Sequence, residues 1–305
     1  MQQGSRGERE QGRKGDVRGS RFSPSSLLPL SPASLLLHAI LTGSALLVLL
    51  PFLWLACAAF KPQRDIFSTA FLPWRRPGDL TLDNFRVLFT HEPYARWMVN
   101  SMFLASLQTT LVVTLSSLGG FALAKYRFAG RRPLMLLMFV TMLLPAQVIY
   151  PSGGIDLIRA IGWVDSYAAV VVPGAVSVFG MFLFMQAMKA VPDELLQAAR
   201  VDGCSELRLW WDVALPIVRP MVGAYTLLSF LASWHGFLWP QIVLQDEAKY
   251  TLPMGLTGMI GLTEYETQYG VLMAGTLLAV LPVLVLFFVL QKDFIAGLAS
   301  GAVKG

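Results

Sequence analysis

The sequence is poor in charged residues, cysteine and histidine. Charged residues make up 14% of its 305 residues, whereas a soluble domain carries about 25%. The two cysteines, Cys57 and Cys204, predict neither a disulfide framework nor a metal site. The three histidines, His38, His91 and His235, are scattered along the chain. We therefore expect this chain to hold no metal ion.

The sequence also lacks the motifs of several enzyme classes. It has no G-x-x-x-x-G-K-[ST] phosphate-binding loop, no glycine-rich dinucleotide motif and no Ser/His/Asp constellation. His38 and His235 are the only ionisable residues found well inside apolar runs, where such groups are costly and are kept for function. A lone histidine there more often makes a polar contact than it catalyses. We expect no catalytic residue and no cofactor bound by this chain.

Long apolar runs are the main positive feature. Hydrophobic residues reach 55% and the mean hydropathy is +0.57, and a helix needs about 20 apolar residues to cross a bilayer. The sequence therefore predicts an all-α membrane protein with six transmembrane helices. The predicted spans are residues 34–60, 97–124, 134–150, 167–188, 219–240 and 270–291.

The distribution of Lys and Arg predicts the orientation. Residues 1–33 carry six basic and three acidic residues among Gly, Ser, Gln and Pro, which is typical of a disordered basic cytoplasmic tail. With both termini inside, the inner segments hold 16 basic residues and the outer segments hold 8. This bias predicts an N-in/C-in topology. It also attributes the net charge of +5 to the membrane topology rather than to nucleic-acid binding.

One polar loop, residues 192–220, lies between two apolar runs. It reads PDELLQAARVDGCSELRLWWDVALPIVRP and holds five acids and three arginines. Pro192 and Asp193 are predicted to start a helix, with Asp193 capping its free amides. Gly203 is predicted to end that helix in a left-handed conformation.

The second half of the loop predicts another helix, from Ser205 to Ala214. Leu207, Trp210 and Trp211 are expected to be buried, and the prolines at 216 and 220 to break the chain before the next span. The product is a charged helix-turn-helix that could lie in a groove on a partner protein. The alternative is an amphipathic helix resting on lipid head groups, although its excess of acids fits anionic lipid poorly.

The loop resembles the cytoplasmic EAA loop of carbohydrate ABC transporter permeases. The matching positions are Pro192, Glu194, Leu195, Ala198, Ala199, Asp202, Gly203, Leu215, Pro216 and Pro220. Two positions depart from the family pattern: Gln197 stands where the motif has Glu, and Cys204 where it has a small Ala. Gln197 keeps an acceptor oxygen but loses the charge, so a salt bridge there would become a weaker neutral hydrogen bond.

Further segments extend the resemblance over most of the chain beyond residue 34. Residues 100–101 and 120–128 are similar to segments of this family. Residues 251–253 and the ending 297–305 resemble its MalG-like inner-membrane subunit. Residues 233–240 resemble Trp-Asn-x-Phe-x-Trp-Pro, with His235 replacing the usual Asn. The segment at 151–154 departs from the family pattern.

The resemblance implies a fold, a function and partners. Residues 34–305 would form the transmembrane domain of a binding-protein-dependent importer, and residues 192–220 its ATPase-coupling loop. The implied partners are a second permease subunit in a heterodimer, two ATPase subunits that use ATP and Mg²⁺, an extracytoplasmic solute-binding protein, and a carbohydrate or polyol. The location would be the cell membrane of a bacterium or archaeon. The implied coupling residues are Glu194, Gln197, Ala198, Ala199, Asp202, Gly203, Leu215 and Pro216.

A sugar pathway requires aromatic faces and hydrogen-bonding side chains. The candidates near the ends of the third and fifth predicted spans are Gln147, Tyr150, Trp234, His235 and Trp239. For the tryptophans and the tyrosine, an aromatic belt at the membrane interface is the alternative.

A secondary transporter of small polar solutes is the alternative function. Such proteins carry internal repeats and ion-coupling carboxylates within their spans, and the six predicted spans contain no Asp or Glu. A channel is a third class, for which one chain offers no pore-lining signature.

Overall fold

A computed structural model describes residues 32–67, 80–143, 153–261 and 268–302. Every regular element in these ranges is helical. The α-helices are α1 Pro32–Ala59, α2 Asp83–Thr90, α3 Tyr94–Lys125, α4 Arg131–Met142, α5 Ile155–Ala160, α6 Tyr167–Val171, α7 Val178–Met188, α8 Asp193–Val201, α9 Glu206–Arg208, α10 Leu215–Ile217, α11 Arg219–Trp234, α12 Leu238–Val243, α13 Leu252–Gly258 and α14 Tyr269–Ala302. Short 3₁₀ helices span Gln63–Asp65 and Glu247–Lys249, and a π-helix spans Leu209–Ala214.

Three described helices are long and apolar enough to cross a membrane. They cover Ser34–Ala59, Tyr94–Lys125 and Tyr269–Ile295, and a fourth candidate is the pair Glu206–Ile217 and Arg219–Trp234, which is bent by 89°. An all-α protein with apolar helices of spanning length is therefore confirmed for the described residues. The number of six spans and the N-in/C-in orientation stay predictions.

Two of the predicted spans are not continuous helices. In residues 167–188, α6 ends at Val171, and α7 begins only at Val178, where the Ser177 side chain accepts a hydrogen bond from the Gly180 amide. Pro173 and Gly174 lie in this break and disfavour a continuous helix. In residues 219–240, α11 ends at Trp234 and α12 begins at Leu238.

Other predicted segments fall largely outside the described residues. The predicted span 134–150 is represented by α4, and its residues 144–150 lie outside the description. The predicted tail, residues 1–33, also lies outside it except for Pro32 and Ala33, which begin α1.

The chain divides into two compact units, residues 1–50 and 51–305. In the first unit, α1 presents exposed apolar side chains up to Leu50, as expected for a helix that faces lipid or another protein. The second unit contains the buried clusters and the polar loop.

Helices α3 and α7 approach closely within the second unit. A Cβ atom at Gly120 would lie 2.5 Å from the Phe184 Cβ and 2.7 Å from the Met185 backbone nitrogen. Glycine is therefore required at this crossing. It brings the last turns of both helices against a buried cluster that includes Leu196, Leu209 and Trp210 of the polar loop.

Candidate functional site

The first arm of the polar loop is helix α8, and an ion pair fastens its start to α3. The Lys125 ammonium lies 2.7 Å from the Asp193 carboxylate and donates to the Val191 carbonyl at 2.5 Å. The hydrogen bond from Lys125 lowers the pKa of the Asp193 carboxyl. The predicted capping role of Asp193 is wrong, because Pro192 occupies the N-cap position and the Asp193 carboxylate pairs with Lys125.

A second ionic cluster joins the two arms of the loop to the residue after α3. The Arg200 guanidinium donates to both Glu206 carboxylate oxygens, at 2.9 and 3.1 Å. The Tyr126 hydroxyl donates to the same carboxylate, and the Arg200 guanidinium lies 6.0 Å from the Tyr126 ring centre. Hydrogen bonds from Arg200 and Tyr126 lower the pKa of Glu206. Burial and the neighbouring Glu206 raise the pKa of Tyr126.

Gly203 forms the tip between the arms, in the predicted left-handed conformation. Its φ is +84°, and the Gly203 amide donates to the Arg200 carbonyl at 3.0 Å. A Cβ at this position would meet no atom within 4 Å. A side chain would thus strain the backbone of the tip without clashing inside the chain.

The second arm differs from the prediction in extent and burial. Helical structure runs from Glu206 to Ile217, through Pro216, and the chain bends at Val218. Pro216 is the second residue of α10, directly after the π-helix, and it does not end the helical arm. The end of the arm predicted at Ala214 is therefore wrong.

Burial in the second arm also departs from expectation. Trp210 is buried as predicted, but Leu207 and Trp211 are 62% and 59% exposed, and Leu209 is buried in their place. The π-helix at Leu209–Ala214 changes which side chains face inward. The pattern of apolar residues alone gave no sign of this local change in helical period.

The outward side of the loop carries most of the predicted coupling residues. Six of the eight predicted coupling residues are exposed: Glu194, Gln197, Ala198, Asp202, Gly203 and Pro216. The other two, Ala199 and Leu215, are half-buried against the buried cluster of the loop. Val201, Leu207 and Trp211 are exposed beside those six. We call this exposed set the outer face of the loop. Large apolar groups next to acids, on a loop braced from below, form a surface that a protein partner can cover.

A separate pocket of about 290 Å³, lined by both apolar and polar residues, lies among α3, α11 and the breaks described above. Its hydrogen-bonding lining includes Ser101, Gln108, Thr109, Tyr225, Ser233 and Thr251. Of the predicted pathway residues, Trp239 lines this pocket, with its ring nitrogen donating to the Ala169 carbonyl at 2.8 Å.

Two other predicted pathway residues, Trp234 and His235, are not among the described residues that line this pocket. Trp234 is buried and stacks on Phe230 at 5.7 Å, which makes it a core residue. His235 is exposed at the end of α11, where its amide donates to the Leu231 carbonyl. Gln147 and Tyr150 lie outside the described residues.

Sequence reasoning missed the polar residues of α3 that line the pocket. Ser101, Gln108 and Thr109 stand seven and eight residues apart within an apolar run, a spacing that puts them on one helix face. That polar stripe was the available signal.

Residues at the start of α3 also hold the loop that follows α12. The Asn100 amide donates to the Ala248 and Tyr250 carbonyls at 3.0 and 2.9 Å, and the Ser101 hydroxyl accepts from the Leu252 amide at 2.7 Å. The Asn-Ser pair noted in the sequence therefore acts as a structural anchor.

Comparison with known proteins identifies the family. Residues 116–297 match the family described as "Binding-protein-dependent transport system inner membrane component". The arabinooligosaccharides transport system permease protein AraQ of Halalkalibacterium halodurans is 36% identical over 262 residues, covering 86% of this chain and 93% of the relative. The sn-glycerol-3-phosphate transport system permease protein UgpE of Salmonella typhimurium is 31% identical over 270 residues, covering 86% and 95%.

A solved structure supports the fold. A chain of a bacterial ABC transporter involved in the import of the acidic polysaccharide alginate superimposes with a TM-score of 0.75 at 21% identity, over 89% of this chain and 100% of that one. The extent of both sequence matches leaves no doubt about kinship: this chain belongs to the family of inner membrane components of binding-protein-dependent transport systems.

Proposed function

We propose that this chain is one of two transmembrane subunits of an ATP-driven, binding-protein-dependent importer for a carbohydrate or related polyol. The observation that carries the proposal is the 192–220 loop. The loop is fixed to the end of α3 by the Lys125–Asp193 ion pair and to the following residue by the hydrogen bond from Tyr126 to Glu206, and its outer face is exposed. Such a loop is suited to transmit the motion of a partner that covers it.

The proposed assembly contains this chain, a second permease chain, two ATPase subunits and an extracytoplasmic binding protein. The ATPase subunits would bind ATP and Mg²⁺, and this chain would contribute the docking loop. The membrane topology would be six spans, N-in/C-in, in the cell membrane of a bacterium or archaeon. The named transport systems of the relatives, for arabinooligosaccharides and glycerol-3-phosphate, support a sugar or polyol as the solute class.

The proposed mechanism is alternating access driven through the loop. When the ATPase dimer closes on ATP, its movement displaces the outer face of the loop. The ion pairs and the buried residues Leu196, Leu209 and Trp210 make the loop move together with the ends of α3 and α7. The spans then open outward to accept solute from the binding protein. The role of this chain is mechanical: a stiff lever with Gly203 at its tip.

The decisive test is ATP hydrolysis by the reconstituted assembly across a panel of sugars, polyols and glycerol phosphates. Stimulation by one solute, abolished by Gly203→Asp while the chain remains in the membrane, is the expected result. Gly203→Asp adds no steric clash within the chain, because the position faces open space, and its strain is confined to the backbone of the tip, where φ is +84°. Normal uptake by this variant would rule out the lever. Failure of the chain to associate with an ATPase would rule out the importer.

A further inference from the structure

The pocket beside α3 has an uncharged lining in which hydrogen-bonding groups stand among apolar ones. Hydroxyl groups, one carboxamide and the rings of Tyr225 and Trp239 line it together with apolar side chains such as Leu104 and Val170. Among the described residues that line the pocket, none carries a formal charge. Burying an anion without a partner costs several kcal/mol even after relaxation, so a phosphate or carboxylate would be disfavoured here.

Two of the polar lining groups are held in place by neighbouring atoms. The Ser233 hydroxyl donates to the Gln108 side-chain oxygen at 3.1 Å. This contact directs the Gln108 nitrogen toward Gly174, where a Cβ would lie only 2.1 Å from it. Trp239 is fixed through its hydrogen bond to the Ala169 carbonyl. An amide donor and an aromatic ring in fixed positions are the usual elements of a specific small-molecule site.

Two further lining residues carry hydroxyls without a protein partner. Thr109 and Thr251 are each 5% exposed, and neither side-chain oxygen makes a hydrogen bond within the described structure. An unpaired buried hydroxyl costs about 1–3 kcal/mol. Both hydroxyl oxygens are buried in this structure, so a hydroxyl-bearing ligand would reach them only after rotation of the threonine side chain, and that contact would remove the penalty.

We infer that this pocket binds one neutral sugar or polyol unit and is formed entirely by this chain. Its volume of about 290 Å³ is at the lower limit of ligand pockets, roughly 300 Å³, and therefore admits a single small unit rather than an oligosaccharide. This inference rests on the proposed function and narrows it: the solute, or the unit of it that reaches this pocket, is uncharged.

The test is equilibrium binding to the assembled complex without nucleotide or binding protein. The neutral probes are radiolabelled L-arabinose and glycerol, and the anionic probes are sn-glycerol-3-phosphate and D-galacturonate. We expect a neutral probe to bind at least about 10-fold tighter than either anion, the ratio that about 1.4 kcal/mol produces. Equal binding of neutral and anionic probes, or binding of none, would overturn the inference.

Variants of this chain locate the binding in the pocket. Gln108→Met and Thr109→Val keep the side-chain size and remove hydrogen-bonding groups, and each should weaken neutral-probe binding about 3- to 10-fold, the effect of one hydrogen bond. Thr110→Val is the matched control, because Thr110 is exposed on the neighbouring position of α3 and donates to the Ser106 carbonyl. If Thr109→Val only raises the thermal stability of the complex and leaves binding unchanged, the hydroxyl is an unpaired core group and the inference fails.

ATP-driven uptake into proteoliposomes separates this inference from the proposed function. Uptake of a neutral sugar with the same KM in the wild type, Gln108→Met and Thr109→Val would overturn the pocket and leave the importer intact. Selective binding of a neutral probe that these variants weaken, in a complex with no uptake of any probe, would support the pocket and overturn the importer.

Discussion

Lys125 and Asp193 join the last residue of α3 to the first residue of α8 through a contact of 2.7 Å between ammonium and carboxylate. The two partners differ in environment, since the Lys125 side chain is 7% exposed and the Asp193 side chain is 70% exposed. Lys125 also donates to the carbonyl of Val191, a buried residue. The lysine therefore fixes the loop more strongly than the aspartate does.

Loss of the lysine should destabilise the chain more than loss of the aspartate. Lys125→Met leaves the Val191 carbonyl without its donor, which costs about 1–3 kcal/mol. Asp193→Asn removes only an exposed charge, worth less than about 1 kcal/mol. Thermal unfolding of the purified complex measures both. Lys189→Met is the control, because Lys189 is exposed and its ammonium donates to the Gln186 side-chain oxygen at 3.1 Å. Equal effects of Lys125→Met and Lys189→Met would contradict the anchoring role.

The same variants should separate ATP hydrolysis from uptake. The outer face of the loop is unchanged in Lys125→Met, so the ATPase should still bind and hydrolyse ATP. The loop would no longer move rigidly with α3, and uptake per ATP hydrolysed should fall several-fold. The ratio of uptake to hydrolysis in proteoliposomes is the measurement. Parallel loss of both activities would mean that Lys125 is needed for docking rather than for transmission.

Gln197→Glu should be tolerated, because Gln197 is exposed on α8. Thermal stability should match the wild type within about 0.5 kcal/mol, as for most surface changes. Affinity for the ATPase should be equal or tighter, because a charge-assisted hydrogen bond is roughly twice as strong as a neutral one. Co-purification with the ATPase at increasing salt measures this. Loss of assembly would mean that the partner surface differs from the one that the family pattern implies.

The sequence predicted the conformation of the loop tip more accurately than it predicted the continuity of the spans. Gly203 was expected in a left-handed conformation and has a φ of +84°, because that conformation depends on local chemistry. Asp193 was expected to cap its own helix and instead pairs with Lys125, which is 68 residues away in sequence. Long-range partners are not encoded in local patterns.

The pocket was missed for a similar reason. Gln108 and Ser233 meet across 125 residues of sequence, and only the fold brings them together. Trp234 was selected because it is aromatic and lies near the end of a run, yet it packs in the core against Phe230. Composition distinguishes polar from apolar positions. It does not reveal that Trp239, rather than Trp234, lines the pocket.

Asp165 holds the segment 243–249 in place, and its removal should be detectable by hydrogen exchange. Its φ is +60°, its Oδ1 accepts from the amides of Gln245 and Asp246 at 2.9 and 3.0 Å, and its Oδ2 lies 2.5 Å from the Lys249 ammonium. An asparagine at this position tolerates the left-handed conformation and keeps one oxygen that can accept from the two amides. An alanine lacks both properties. Exchange of the two amides should rise slightly in Asp165→Asn and strongly in Asp165→Ala. Equal exchange in both variants would contradict this role.

The acid dependence of this contact has a defined sign. The hydrogen bonds from Lys249, Asp246 and Gln245 lower the pKa of Asp165 from 3.8 to about 2. A carboxyl with a lowered pKa contributes stability that is present above pH 3.8 and is lost as the pH falls toward 2. Local protection of the two amides should therefore persist at pH 5 and decline below about 4. In Asp165→Asn this decline should be absent.

Two glycines of α13 provide a matched test of packing. A Cβ at Gly255 would lie 2.1 Å from ring atoms of Trp97, whereas a Cβ at Gly258 would meet nothing within 4 Å. The Trp97 ring is buried and has little room to move. Gly255→Ala should therefore destabilise the complex by about 1–3 kcal/mol, as overpacking does. Gly258→Ala should be neutral or stabilising by up to about 1 kcal/mol, because alanine is the better helix former. Thermal unfolding of the complex with each variant measures the two changes in stability. Equal stability would mean that α13 can shift away from α3, and the pocket edge at Thr251 would then be adjustable rather than fixed.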